Sequence, residues 1–594
     1  MSSTKPVWLG ALCGVCLGSL LAIAETLRAA GLPGAVFRPS LMLYGSILDG
    51  GLLGACGLLV GTGWWLVQKR ASAGKRPASV VITVVGNRRR DGTLAGTGLS
   101  RRDLLAISGT AALAGVAIAL RPGSSLVSSP ASASPLPETS ATSPALIAAA
   151  PRGPNLLLIT IDTLRADQLG VYGHPYVRTP ALDTLAKQGA LFRWHLVEQP
   201  QTNPSHASIF TGTYPTTNGL RVHLVDKLSG SVETLAEIYK RAGYTTAGIY
   251  SWLSLDAEYS NLQRGFDVYQ NVAASTPRAL TNPLLKQVAA RYREAEEYLS
   301  VPKMANQLVS VQRQVEADAK GRADITTDAA IVVLESLANE PFALWVHYFD
   351  PHYPYQPPDP YPNLYDQDYR GPVDSSMNTV ASIEDGKFAP SGADLYRLMS
   401  LYQGEITYID AQIGRLLGRL DSLSLASSTI VALTSDHGES FDEHSSLYVR
   451  GDFFHPHSLY NAELAVPLLL RYPDKLRAGI STDEMTQSID VLPTLLQMCS
   501  LEIPAHVQGS GLVATLAGGA TDARAAFATM YDYAFSSVAT AEWKLILNQA
   551  NGRLALFDLR NDPHEQRDVA AAQPQVVSAL GSMLRSWMRQ ERIV

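Results

Sequence analysis

Asn155–Asp162 reads NLLLITID, a short unbroken apolar run that ends on a carboxylate. A strand with one wet face alternates apolar and polar residues, whereas a strand covered on both faces does not. The run therefore predicts a strand buried on both sides, the usual setting of a parallel strand. Working outward, Pro341–Phe349 (PFALWVHYF) and Ser428–Gly438 (STIVALTSDHG) have the same texture. Each follows a helical pattern, Thr326–Asn339 (TTDAAIVVLESLAN) and Tyr402–Leu420 (YQGEITYIDAQIGRLLGRL), and a third helix is predicted over Thr179–Phe192 (TPALDTLAKQGALF). Strands alternating with helices define an α/β fold, a mostly parallel sheet flanked by helices. Ligands of such sheets bind beyond the carboxyl ends of the strands. Asp162 and Asp436 stand at two of those ends.

The flanking sequence has a different character. Three apolar stretches, Val7–Ala24, Leu41–Val67 and Leu104–Leu120, approach the length of a membrane-crossing helix. A basic segment holding Lys69, Arg70, Lys75, Arg76, Arg88, Arg89, Arg90, Arg101 and Arg102 separates the last two, as in a cytoplasmic loop. Residues 1–121 are thus expected to anchor the chain with about three transmembrane helices, leaving the remainder outside the cell membrane, periplasmic or extracellular. Ser100–Leu120 also resembles a twin-arginine export signal, which differs in route but not in destination. Residues 122–152, rich in Ser, Ala and Pro, read as a linker. The catalytic core is expected over 153–475, with a charged helical insertion at 280–325, and a smaller α+β subdomain over 476–594. The formal net charge of −6 disfavours a nucleic-acid partner. Of four cysteines, only Cys499 lies beyond the linker, where it reads as a small buried apolar residue. That excludes a disulfide framework and a thiolate zinc site there.

The chemistry is expected where hard ligands gather. Asp162, Asp436 and His437 offer two carboxylates and an imidazole, a set that suits calcium, magnesium, manganese or zinc. Gln201–Gly212 (QTNPSHASIFTG) predicts a helix that starts near Thr202, with Pro204 in its first turn. A helix start favours an anion such as phosphate or sulfate, and a divalent ion next to the Thr202 hydroxyl would make it a usable nucleophile.

These pieces resemble the sulfatase branch of the alkaline phosphatase superfamily. The likeness runs in order through PNLLLITIDTLRADQLGVYG, TPALDTLAKQGALF, TNPSHASIFTG, GYTTAGIY, RGFDVY, VHYFDPHYPYQPP, YQGEITYIDAQIG, SDHGESFDEH, YNAELAVPLLLRYP, SIDVLPTLLQ and LFDLRNDPHEQRDVA. It implies an alkaline-phosphatase-like fold with Asp162, Thr202, Asp436 and His437 as ligands of one divalent ion, and Thr202 also as nucleophile. A second ion would draw on His352, His455 and His457. The resemblance places His206 where sulfatases carry an arginine, and His352 where a histidine contacts the transferred group or protonates the leaving oxygen. His455 and His457 fall near a substrate-binding lysine, and His223 at a frequent polar position. His347 and His444 read as structural, or as supports behind the residues that contact the ion and substrate.

The sequence also departs from the family. Sulfatases mature a cysteine to formylglycine within Cys-x-Pro-Ser-Arg, and here the segment is Thr202-Asn203-Pro204-Ser205-His206. Thr163 replaces the second aspartate of the usual pair, and Ile249–Leu255 (IYSWLSL) replaces a Gly-Lys-Trp-His stretch. Threonine at this position resembles phosphodiesterases, lipoteichoic acid synthases and phosphoethanolamine transferases of the superfamily. The expectation is a hydrolase or phosphotransferase of phosphate esters, acting on a lipid head group or a glycan. A sulfatase using threonine is the alternative, and an inactive binding scaffold is the reading from another class.

Overall fold

The computed structural model describes residues 153–273, 322–374, 376–444, 453–519 and 524–593. The expected anchor (1–121), the linker (122–152) and nearly all of the insertion (280–325) lie outside them. Among the described residues no helix is long and apolar enough to cross a membrane.

Fourteen strands are described: β1 (Asn155–Ile161), β2 (Ala190–Leu196), β3 (Thr245–Tyr250), β4 (Val268–Asn271), β5 (Phe342–Tyr348), β6 (Thr429–Ser435), β7 (Ser440–Phe441), β8 (Phe453–Phe454), β9 (Leu468–Arg471), β10 (Ile480–Gln487), β11 (Ala526–Thr529), β12 (Phe535–Ala539), β13 (Trp543–Asn548) and β14 (Leu554–Asp558). Eight of them form one sheet in the order β10-β2-β9-β6-β1-β5-β3-β4. Only β9 runs antiparallel to its neighbours. The sheet is thus the mostly parallel one that the apolar runs predict.

Strand β1 lies inside the sheet, parallel to both β5 and β6, and Ile161 stands level with Tyr348 and Ser435. That register brings the chain out of all three strands at one edge, so Asp162 and Asp436 emerge side by side. Alternate β1 residues enter two different cores. Leu156 and Leu158 pack with Ala207, Phe210, Tyr239, Trp345 and Leu495, whereas Leu157 and Ile159 pack with Leu185, Leu334, Val346 and Leu416. The first core lies under the helices Thr202–Thr211, Leu235–Arg241 and Val491–Cys499. The second lies under Pro180–Lys187, Ala323–Ser336 and Gly392–Ser422. Full burial of each β1 leucine contributes roughly 1.5–3 kcal/mol of transfer free energy, enough to fix this strand against a one-residue slip that would exchange the two cores.

One helix is shorter than the sequence suggests. The pattern over Thr179–Phe192 covers a helix that stops at Lys187 and the start of β2. Gly189 sits at the break, where a Cβ would come within 2.0 Å of the Leu470 carbonyl oxygen on β9. The backbone crossing there requires glycine and ends the helix.

Beyond the central sheet, β11-β12-β13-β14 form a four-stranded antiparallel sheet. The helix Pro574–Gln590 covers it, packing Leu580, Leu584 and Trp587 on Val538, Leu545 and Leu556. Strand β10 and the helix Val491–Cys499 belong with the central sheet. The antiparallel sheet therefore begins at Ala526, well past position 476, where the sequence pattern weakens. Exposed β10 residues alternate with partly buried ones over Ile480–Glu484, which hides a strand that is buried only at its end.

Candidate active site

The β1–β6 edge assembles the site. Directly after β1, Thr163 takes a left-handed conformation (φ 55°). This turn aims its N–H at Asp436 Oδ1 (3.2 Å), which also accepts from the His437 N–H (2.9 Å). The Tyr402 hydroxyl donates to the Thr163 carbonyl and pins the turn from below (2.7 Å). A β-branched residue pays for left-handed backbone with strain, so these contacts hold it in place.

Asp162, Asp436 and His437 are fully buried, and each offers one ligand atom within 4.8 Å of the other two. His437 Nδ1–H donates to the Gly438 carbonyl (3.0 Å), which directs the Nε2 lone pair inward. That Nε2 lies 3.7 Å from Asp162 Oδ1 and 3.8 Å from Asp436 Oδ2. Among the described residues, neither His437 Nε2 nor Asp436 Oδ2 has a hydrogen-bond partner, and both atoms are buried. Buried polar atoms of this kind cost roughly 1–3 kcal/mol each if left unmatched. A divalent ion ligated by them removes that cost, so the residues present fit the cation. Burial raises the Asp436 carboxyl above its ordinary range and holds His437 well below the ordinary range of an imidazole, with His455 adding to the latter.

Thr202 opens the helix Thr202–Thr211, all ten residues of which are buried. Its first turn is tied to the acidic pair through His206. The Nδ1–H of His206 donates to the Thr202 carbonyl (2.8 Å) and stands 3.6 Å from Asp436 Oδ2. On the other side of the ring, Nε2 meets the Thr160 hydroxyl (3.0 Å), and that hydroxyl in turn accepts from Trp345 Nε1 (2.9 Å). Burial lowers the pKa of His206, against the opposing pull of Asp436 and the Thr202 carbonyl. Asn203 N–H approaches His223 Nδ1 at 3.4 Å. His223 is pushed down to about 3 by burial and by the nearby His437, His455 and His206.

A second group of histidines forms the far wall. His352 stacks on Phe349 (ring centroids 4.5 Å apart), which stacks on Trp252 (4.3 Å). Its Nδ1 bonds the Tyr353 carbonyl (2.6 Å). His455 meets His352 edge-on (4.8 Å) and lies against His437 (4.2 Å). The structure thus brings Asp162, Asp436, His437, His206, His223, His352 and His455 into one buried cluster at the start of the Thr202 helix. His457 shares the loop of His455, but it is fixed through its backbone N–H to Glu463 (3.1 Å). His444 stacks on Tyr460 (3.8 Å) and bonds the His564 carbonyl (2.7 Å), in keeping with a structural role.

One buried residue was expected only in a structural or supporting role, and another was not singled out by the sequence. His347 on β5 is wholly buried, neither ring nitrogen has a hydrogen bond among the described residues, and its Nε2 is 3.5 Å from Asp162 Oδ2. Its place in an apolar strand run gave no sign of this. Glu439 is also fully buried, and burial lifts its pKa to about 8. It accepts from the Tyr355 hydroxyl (3.0 Å) and lies 2.7 Å from His455 Nδ1. Its position two residues after His437 was the available signal.

Comparisons with known proteins identify the family. The family model "Sulfatase" matches residues 154–500, and the model "N-sulphoglucosamine sulphohydrolase, C-terminal" matches 451–592. The chain is similar to an arylsulfatase of Clostridium perfringens, 27% identical over 438 residues, covering 69% of this chain and 89% of the relative. It is also similar to a multifunctional alkaline phosphatase superfamily protein of Trinickia caryophylli, 26% identical over 476 residues, covering 70% and 91%. Among solved structures, the phosphonate monoester hydrolase of Agrobacterium radiobacter superposes with a TM-score of 0.56 at 22% identity, over 74% of this chain and 96% of that one. A protein solved with its substrate D-glucosamine-2-N,6-O-disulfate gives 0.56 at 21% identity, over 74% and 98%. The class defined by fold and site is that of sulfate- and phosphate-ester hydrolases of the alkaline phosphatase superfamily. Within it, the chain belongs to the sulfatase family.

Proposed function

We propose that this hydrolase cleaves phosphate esters through Thr202. The observation that carries the reading is the residue itself: a buried threonine begins the helix that His206 ties to Asp436, and Cys499, the one free cysteine among the described residues, lies elsewhere in a buried site beside Tyr239. Asp162, Asp436, His437 and Thr202 would hold a divalent ion, which would supply Lewis-acid activation of the hydroxyl and offset charge on the ester oxygens. The Thr202 oxygen attacks phosphorus in line, and the bond from phosphorus to the ester oxygen breaks. His352 gives the departing oxygen its proton, and His223, which faces the Asn203 N–H next to Thr202, is a second candidate for proton transfer there. Water or another alcohol then releases the group from Thr202. The substrate is an ester on a glycan or a lipid head group. The work is done outside the cytoplasmic membrane, in line with the basic segment between the apolar N-terminal stretches.

Sulfate-ester hydrolysis is the second reading, favoured by the two sulfatase family models. An enzyme loaded with each of the four divalent ions and assayed on nitrophenyl phosphodiester, phosphomonoester and sulfate separates the two. Faster sulfate turnover would reverse the order. Thr202→Ala should lose about 10³-fold or more on the best substrate, and full turnover by that variant would exclude Thr202 as nucleophile.

A further inference from the structure

We propose that His347 on β5 is a further ligand of the active-site ion, and that its imidazole biases the site toward zinc over calcium or magnesium. The inference rests on the reading of Asp162, Asp436 and His437 as ion ligands. It is independent of which group attacks the ester.

The sheet sets His347 at the level of the site. It stands in register with Thr160 on β1 and Tyr250 on β3, one residue before β5 ends. Residues two apart on a strand share a face, so Trp345 and His347 lie on one side of β5. That side is the one under the Thr202 helix, because the His206 ring lies 5.6 Å from Trp345 and 5.0 Å from His347.

No part of His347 is exposed, and neither ring nitrogen has a hydrogen bond among the described residues. A polar group buried without a partner is unfavourable. An apolar side chain would serve a strand covered on both faces better, so packing alone does not account for this imidazole. An ion does. His347 Nε2 stands 3.5 Å from Asp162 Oδ2, and one ligand atom each from His206, His347 and Asp436 lie within 4.8 Å of one another. Two atoms that bind one ion at about 2.0–2.4 Å stand roughly 3–4.8 Å apart. The observed separations therefore suit a shared ion.

Two details select the ligand and the number of ions. His206 has both ring nitrogens engaged, by the Thr202 carbonyl and the Thr160 hydroxyl, whereas His347 does not. His347 is thus the imidazole left to bind. Asp436 belongs to both possible ligand groups, His206–His347–Asp436 and Asp162–Asp436–His437. Its Oδ1 already accepts the N–H groups of Thr163 and His437, so both groups meet on Oδ2 and share one ion. Calcium and magnesium favour oxygen ligands, and imidazole nitrogen suits zinc. A second imidazole beside His437 shifts the preference accordingly.

The test uses the full-length protein, stripped of metal with a chelator. Reloaded with one equivalent of copper(II) as a spectroscopic probe, the parent should show two imidazoles on the ion by pulsed electron paramagnetic resonance, and His347→Gln only one. Calorimetric titration should show zinc affinity falling at least 10-fold in His347→Gln. Calcium affinity should stay within about two-fold, because glutamine offers an oxygen in its place. A residue that only packs would weaken both ions alike. Metal-free His347→Gln should melt close to the metal-free parent, and zinc should raise its midpoint less. His347→Leu, which suits the strand without any ion, should bind zinc as weakly and covers the case in which the glutamine variant fails to fold. One imidazole on the parent's ion, equal losses for zinc and calcium in His347→Gln, or two ions per parent chain would each overturn the proposal. Failure of the parent to bind any ion would reject the whole ligand set, whereas an ion held with His437 as its one imidazole would reject His347 alone.

Discussion

His206 is occupied on both ring nitrogens, and this sets its role. One side holds the Thr202 carbonyl and the other the Thr160 hydroxyl. It therefore acts as a brace under the first turn of the helix, while Asp162 and Asp436 are left as the candidate cation ligands. Removing it in His206→Ala strips two hydrogen bonds and leaves a cavity beside Trp345, so urea unfolding should show a loss of about 3–5 kcal/mol. Asp436→Asn keeps the shape but removes the charge, and calorimetric titration of the divalent ion should show affinity falling at least 10-fold. At this scale the sequence was most legible where residue type and chain position coincide. Asp162, Asp436 and His437 each follow an apolar run and stood out for that reason. His347 sits inside such a run, where its neighbours argue only for a strand, and Glu439 has no meaning until β8 and its loop bring His455 to it.

The elements differ in how well a pattern records them. Strand β1 is buried on both faces, and its unbroken apolar run says so. The helix Thr202–Thr211 is buried all round by small and polar residues, so no apolar stripe marks it, and only Pro204 and the resemblance located its start. At the end of β2, Glu198 joins the central sheet to the antiparallel one: its carboxyl accepts the Ile489 N–H (3.0 Å), and its carbonyl accepts the Thr529 N–H (3.0 Å). Burial lifts the Glu198 carboxyl from 4.5 to about 8. The folded state therefore binds the proton more tightly than the unfolded chain, and this contribution to stability is complete below pH 4.5 and lost as pH rises through 8. Glu198→Gln mimics the protonated form. Its thermal midpoint should exceed that of the parent at pH 8.5 by about 1–2 °C, the shift for about 1–2 kcal/mol in a chain of this size, and the advantage should vanish near pH 4.5. Equal midpoints at both values would argue that Glu198 is ionised in the fold.

At the scale of the whole molecule, the antiparallel sheet is fastened to the loop that carries the distal histidines. Lys544 on β13 is wholly buried, 2.9 Å from Glu565 and 2.8 Å from Asn461. Glu565 also accepts the Asn461 N–H, and Glu463 two residues on holds the His457 N–H. Lys544→Met would leave Glu565 buried without its cation, a change that costs about 3–5 kcal/mol. Calorimetry should show that loss as an earlier unfolding transition, and a change within 0.5 kcal/mol would mean that the brace is idle. None of this was legible beforehand, because Lys544 and Glu565 look like ordinary surface charges until the fold buries them. The predicted α/β class and the C-terminal α+β unit needed only local pattern. The assignment of β10 to the central sheet needed the partner strand β2, which no local window contains.

The central place of β1 has a consequence for timing. The first strand of the sheet is paired on one side with β5 and on the other with β6, and the hydrogen bond from Thr163 to Asp436 closes a gap of 273 residues. While the chain is being made, β1 leaves the ribosome with both edges bare and waits for partners that come much later. The candidate ion site cannot exist at all until His437 has emerged. Long-range pairing of this kind folds slowly, so nascent chains stalled before residue 429 should bind no ion at the site and remain open to protease within Asn155–Ile161. The enzyme would acquire its chemistry late and all at once, a natural safeguard against ester cleavage by an unfinished chain.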